Sequence, residues 1–239
     1  HLEILLAKLR NKFKIEAELV EPIIPYRETI KGTAEVRGKY KKQSGGHGQY
    51  GDVLIRFEPS GDLTKPYVFE EQIFGGSVPK QYFPAVEKGI QECVQSGVLA
   101  GYPVVGLKAT LLDGSYHPVD SSEMAFKMAT SMAFKDGMAQ AKPVILEPIG
   151  RAEVLVPEKY MGDIMGDINK RRGRILKMDP EGKNMRIFAE VPMSEMHKYC
   201  TDLRSMTQSR GEYSLHFERY EEAPADVQKT IIEKRQNEA

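Results

Sequence analysis

Apolar positions fall at helical spacing from the first residues, His1-Leu2-Glu3-Ile4-Leu5-Leu6-Ala7-Lys8-Leu9, with no capping residue ahead of them. The opening reads as a helix cut from something larger. Pro22 and Pro25 then punctuate the chain, and Tyr26 to Lys42 alternates as extended structure up to Ser44-Gly45-Gly46-His47-Gly48. Tyr50 to Phe57 follows, which predicts a long hairpin with a glycine-rich tip. A strand-like run, Tyr67 to Phe74, leads through Gly75-Gly76 into a helix whose Phe83, Val86, Ile90 and Cys93 share a face, and Gly97 is expected to end it. Val104 to Leu112 reads as a strand, and Asp113-Gly114-Ser115 as the turn into Tyr116-His117-Pro118-Val119-Asp120. Asp120 and Glu123 have the spacing of a capping box, so the segment around His117 is a loop entering a helix that carries Met124, Met128 and Met132.

From Pro143 the texture changes to an internal repeat. Each copy is a strand ending in Val-Pro, then a helix closed by Arg-Gly: Val156-Pro157 with Arg172-Gly173, and Val191-Pro192 with Arg210-Gly211. Proline at the first helical position loses no useful donor, and glycine after the last turn adopts a left-handed conformation cheaply. Met161, Ile164, Met165 and Ile168 line one helix; Met196, Cys200 and Leu203 line the other. Met185, Ile187, Ala189 and Val191 alternate onto one side of a strand, as do Tyr213, Leu215 and Phe217. Two β-α-β halves joined by the Asp179-Pro180-Glu181-Gly182 turn give the order βαββαβ, a ferredoxin-like unit. Val227 and Ile231, past Pro224, mark a short terminal helix.

A chain of 239 residues has room for two cores, and 41% hydrophobic residues supply them. No apolar run approaches the roughly 18 residues of a membrane span, nor is there a signal pattern, so the expected compartment is the cytoplasm. Cys93 and Cys200 fall in helices of different domains, which argues for two buried thiols rather than a disulfide. The formal net charge is zero, which excludes coating nucleic acid by bulk electrostatics and leaves local patches. Two stand out: Arg37, Lys39, Lys41 and Lys42, with no acid between Glu35 and Asp52, and the cluster Lys170, Arg171, Arg172 and Arg174.

Catalytic chemistry finds no support in the residue pattern. A Gly-x-x-x-x-Gly-Lys-Ser/Thr phosphate loop is absent, and the Gly45 to Gly51 run has no lysine and opens no helix. His47, His117, Asp52 and Asp120 come with no nucleophile, and the histidines lack metal-ligand spacing, so neither catalytic nor metal residues are assigned. Ser44, Gly45, Gly46, Gly48 and Gln49, flanked by Tyr40, Tyr50 and cations, suit close approach to irregular RNA. A merely flexible hairpin tip accounts for them equally well. The cations from Lys170 to Arg174 lie at a helix C-terminus, where they also complement the helix dipole.

Several runs resemble elongation factor G. Tyr26-Arg27-Glu28-Thr29-Ile30 is similar to the start of its domain IV, and Gln43 to Gly51 (QSGGHGQYG) to its first tip loop. Asp113 to Glu123 (DGSYHPVDSSE) resembles the second tip loop, and Met161 to Gly173 (MGDIMGDINKRRG) the first helix of domain V. The resemblance implies an α+β chain: residues 1–20 as the end of domain III, and 21–142 as a ribosomal protein S5 domain 2-like domain IV with an unusual βαβ crossover. Residues 143–224 would be a ferredoxin-like domain V, with the C-terminal helix 225–239 packed on domain IV. It further implies a monomer that meets the ribosome, its RNA, the A-site tRNA and the mRNA, promoting translocation through tip residues Ser44, Gly45, Gly46, His47, Gly48, Gln49, Tyr50, Tyr116, His117 and Asp120. GTP and magnesium are expected only in an N-terminal domain outside these residues, this chain holding no cofactor. Two positions depart from the family's main branch, which carries a basic residue where His47 stands and an acid where Pro118 stands; both resemble the elongation-factor-G-like paralogues. The alternatives are a ribosomal-protection or recycling factor of the same superfamily, and a stand-alone RNA-binding module.

Overall fold

The protein is described by a computed structural model covering residues 2–18, 22–43 and 48–238. It divides into two compact units, Tyr26–Glu147 with Arg219–Ala239, and His1–Pro25 with Pro148–Glu218. The opening segment forms α1 (Leu2–Lys8) and a π-helical turn, Leu9–Phe13. None of residues 4–18 is buried.

In the first unit, the run expected as one extended stretch breaks into β1 (Arg27–Ile30) and β2 (Ala34–Lys42), which join different sheets. The bend at Lys31 and Gly32 is held by hydrogen bonds from their N–H groups to the carbonyls of Lys142 and Ala141, contacts that alternation along the sequence does not reveal. The hairpin is as read, with β3 (Gln49–Pro59) pairing antiparallel to β2 from Ala34↔Phe57 to Lys42↔Gln49. β4 (Tyr67–Glu71) is followed by α2 (Phe83–Cys93) and β5 (Leu107–Ser115), and β4 runs parallel to β5, so the three form a βαβ crossover. Gly97 does not end α2: it lies where a Cβ would strike the Glu28 carboxylate, which is fully buried and accepts hydrogen bonds from the N–H groups of Leu99, Ala100 and Tyr102. Nor is Asp113-Gly114-Ser115 a turn; β5 continues through it, paired with Leu54, Val53 and Asp52.

α3 (Glu123–Gln140) covers one face of the sheet, ordered β2-β3-β5-β4. Its buried face is Ala125, Phe126, Ala129, Thr130, Ala133, Phe134, Gly137 and Met138, while Met124, Met128 and Met132 are exposed. The small residues let helix and hairpin approach to backbone contact: a Cβ on Gly38 would lie 2.0 Å from the Ala129 carbonyl oxygen, and one on Gly51 2.4 Å from that of Ala125. Phe57, Phe126 and Phe134 fill the core, each fully buried phenylalanine stabilising by about 1.5–3 kcal/mol. β6 (Pro143–Pro157) begins in this unit, where Pro143 to Leu146 pair with β1.

The second unit takes up β6 from Ile149 and adds α4 (Met161–Lys170), β7 (Arg174–Glu181), β8 (Asn184–Pro192), α5 (Tyr199–Thr207) and β9 (Glu212–Glu222). The sheet order β9-β6-β8-β7 completes the ferredoxin-like βαββαβ arrangement. Ile164, Ile168, Ile187, Ala189, Val191 and Leu203 form its core. Three local readings differ from the sequence pattern. Pro157 and Pro192 each precede a 3-10 turn rather than the first turn of a helix. The left-handed residue after α4 is Arg172, and Gly173 serves instead for close packing, since a Cβ there would lie 2.6 Å from both Ile168 and Val191. Tyr199, not Cys200, faces the core: Cys200 is exposed and Cys93 half-buried.

The last element is α6 (Ala225–Glu238), close to the expected bounds 225–239, whose Val227 and Ile231 pack with Ala100 and Ile145 of the first unit. Among the described residues no helix is long and apolar enough to cross a membrane.

Candidate nucleic-acid interface

Ser44, Gly45, Gly46 and His47 lie outside the described residues. Their flank, Gly48 to Tyr50, meets the second predicted loop directly. The Gly48 N–H donates to Asp120 Oδ1 at 3.0 Å, the Tyr50 N–H to the Asp120 carbonyl at 2.8 Å, and the Ser121 hydroxyl to the Tyr50 carbonyl at 2.9 Å. Gly48 and Asp120, 72 residues apart in sequence, are thus stitched into one end of the sheet. Asp120 does not cap α3; Ser122 does, accepting from the Ala125 N–H, which leaves the Asp120 carboxylate for Gly48.

The second loop is itself pinned. His117 donates its N–H to the Ser121 hydroxyl at 2.9 Å, and its Nδ1 accepts from the N–H groups of Val119 and Asp120 at 3.3 and 3.2 Å. The His117 Nδ1 also lies 3.4 Å from Asp120 Oδ2. Tyr116, His117, Pro118 and Val119 are exposed on this frame.

Beneath the tip the hairpin is locked by charge. Arg37 reaches Asp52 with two 2.8 Å hydrogen bonds, Asp52 also accepts from the Ser115 hydroxyl at 2.5 Å, and Ser115 shares a 2.7 Å bond with the Tyr50 hydroxyl. Burial pushes the Asp52 carboxyl upward, but the hydrogen bonds from Arg37 and Ser115 and the charges of Arg37 and Lys39 outweigh it and hold it below its ordinary value. Arg37, Lys39 and Lys41 alternate along β2 on the exposed face, and Lys42 at its end is exposed too. Lys39 also lies over the Tyr50 ring at 5.6 Å, and Tyr40 donates to Gln49 at 3.1 Å. Arg37 is therefore a structural clamp, and Lys39, Lys41 and Lys42 are the cations offered outward.

The second basic cluster divides likewise. Arg171 donates to Asp167 at 2.7 Å, to the Glu195 carbonyl at 2.7 Å and to Asp202 at 2.6 Å, and its guanidinium sits 5.1 Å from the Tyr199 ring centroid. Arg172 pairs with Glu195 at 3.1 Å and Arg174 with Glu190. Lys170 is exposed and Arg174 largely so, whereas only 15% of the Arg171 side chain is accessible. Arg171 holds α4 to α5, a role invisible in a run of adjacent cations.

Among the described residues no three His, Cys, Asp or Glu side chains gather to hold a metal. Gln49 to Gly51, the described end of the glycine run, belong to strand β3.

Residues 22–142 match the family model of elongation factor G, domain IV, and residues 144–231 that of the elongation factor G C-terminus. Among solved structures, the chain is similar to ttk003000868 from Thermus thermophilus, with 48% identity and a TM-score of 0.88. That similarity covers 100% of this chain and 36% of the other.

Proposed function

The chain belongs to the elongation factor G family, spanning domain IV and the C-terminal domain, and from that premise we propose that it promotes movement of tRNA and mRNA by inserting the tip of its first unit into the ribosomal A site. The observation that supports this reading is the stitching of Gly48 and Tyr50 to Asp120 and Ser121, which presents Tyr116 and His117 from a preorganised frame beside exposed lysines. A second loop already pinned through Ser121 and the His117 Nδ1 has less conformational freedom to lose on meeting RNA. Its action is positional: Lys39, Lys41 and Lys42 neutralise phosphates, Tyr116 offers a stacking face, and His117 offers a donor. Lys170 and Arg174 supply phosphate contacts from the second unit. GTP binding and hydrolysis with magnesium belong, in this reading, to a part of the whole protein beyond these residues, and no step here runs through them. A second reading, drug displacement or subunit splitting in place of translocation, is favoured by one observation: Pro118 stands exposed in the second loop where the family's main branch has an acid.

The test is His117→Ala in the full-length protein, followed by rapid kinetics of tRNA movement. Slowed movement, with GTPase turnover and melting temperature little changed, is expected. Unimpaired activity in every A-site step would contradict the proposal.

A further inference from the structure

The tip reading leaves one prominent side chain unused. Phe74 is 95% exposed, in the connection between β4 and α2. It is followed by Gly75 and Gly76, both left-handed at φ +70° and +72°, which reverse the chain where other residues would be strained. The placement of this connection follows from the sheet. β4 is parallel to β5, with Glu71 paired to Leu111 and the Gln72 N–H bonded to the Leu111 carbonyl, so the chain leaves β4 in the direction β5 takes toward Tyr116. It returns with Val78 packed on Gly114, close enough to exclude a Cβ there, and with the Tyr82 hydroxyl donating to the Ser121 carbonyl at 3.3 Å. Phe74 thus projects from a loop anchored at both ends to the residues that carry the second tip loop.

We propose that Phe74 is the stacking residue of a third tip loop and takes an unpaired nucleobase, an inference that rests on the RNA-probing reading of this end. The surroundings favour RNA: residues 72 to 82 carry one charge, the cation Lys80, the bordering Glu71 is occupied in accepting from the Ile73 N–H at 3.4 Å, and Tyr116 of the second loop is a further exposed ring. An aromatic face stacks on any base, and its position on a glycine-reversed loop permits close approach of a sugar-phosphate chain.

The experiment uses full-length protein bound to ribosomes. Phe74→Ala and Phe74→Leu are expected to weaken binding by about 5- to 100-fold, the range of one lost base stack, while Phe74→Trp retains affinity and all three keep the melting temperature. In parallel, p-benzoylphenylalanine replaces Phe74 in one preparation and Tyr116 in another. Crosslinks to RNA from both positions support the proposal. RNA crosslinks from position 116 with none, or only ribosomal-protein crosslinks, from position 74 overturn it and leave the tip reading standing. Absence of RNA crosslinks from both defeats the tip reading and this inference together. Full affinity in Phe74→Leu would also overturn it, because a shape-tolerant apolar contact would then suffice.

Discussion

Replacing Arg37 with methionine removes the cation from the lock under the tip while keeping most of the side-chain volume. Two charge-assisted bonds to Asp52 are lost, and Asp52, whose side chain is 3% exposed, keeps only the Ser115 hydroxyl as its side-chain donor. Breaking a fully buried ion pair costs about 3–5 kcal/mol, and losing a hydrogen bond to a charged group about 1.5–3 kcal/mol. Half of the Arg37 side chain is exposed, so water already screens the pair and the lower range applies. The expected loss is about 2 kcal/mol, which for a chain of this size lowers the melting temperature by about 4–8 °C. The pH dependence follows from the depressed carboxyl of Asp52. A group whose folded pKa lies below its unfolded value contributes stability that is complete above the unfolded value, about 3.9, and is lost as pH falls through the folded one. The gap between wild type and variant should therefore be full at pH 7 and close as the pH falls below about 4. Calorimetry at pH 7 and at successively lower pH measures both. A shift under 1 °C at pH 7, or a gap that does not change with pH, would refute the lock.

Three further outcomes are expected from substitutions, and a fourth from a titration. Arg171→Ala should destabilise the second unit by about 2–3 kcal/mol in thermal melts, through loss of bonds to two carboxylates and a carbonyl. Neutralising Lys170 and Arg174 together should instead cost no more than about 1 kcal/mol, from the Arg174–Glu190 pair, and flatten the salt dependence of ribosome binding by a slope of about 1 to 2. Gly38→Ala should cost about 3 kcal/mol, the upper end of overpacking, because its Cβ would enter the Ala129 carbonyl and lift α3 off the hairpin; an unchanged melt would show that the helix can shift. Titrating this chain with a fluorescent GTP analogue should give no saturable binding in the micromolar range, and a saturable curve would place nucleotide chemistry within it.

Features with a short repeat were legible in the sequence. The alternation of Ile187, Ala189 and Val191 and the spacing of Ile164 and Ile168 led to the ferredoxin-like unit, because strand and helix periodicity each report a single buried face. Glycines misled wherever their purpose was contact rather than a turn. Gly97, Gly114 and Gly173 each face an atom from an element distant in sequence, and a glycine signals only that something is special, not what approaches it. Likewise, Lys170 to Arg174 read as one patch, since the capture of Arg171 by Asp202 depends on helix packing. Phe74 read as the last residue of a strand, Tyr67 to Phe74, whereas β4 ends at Glu71 and Phe74 stands exposed in the loop beyond it.

The central claim, an RNA-probing tip built from two stitched loops, is tested most directly by cryo-electron microscopy of the full-length protein trapped on ribosomes with a non-hydrolysable GTP analogue. The account predicts the loop from Tyr116 to Asp120 in the A site, within contact distance of small-subunit RNA, tRNA or mRNA, with Gly48 still bonded to Asp120. A complex in which the first unit lies outside the A site, with that loop facing solvent or protein, would contradict it.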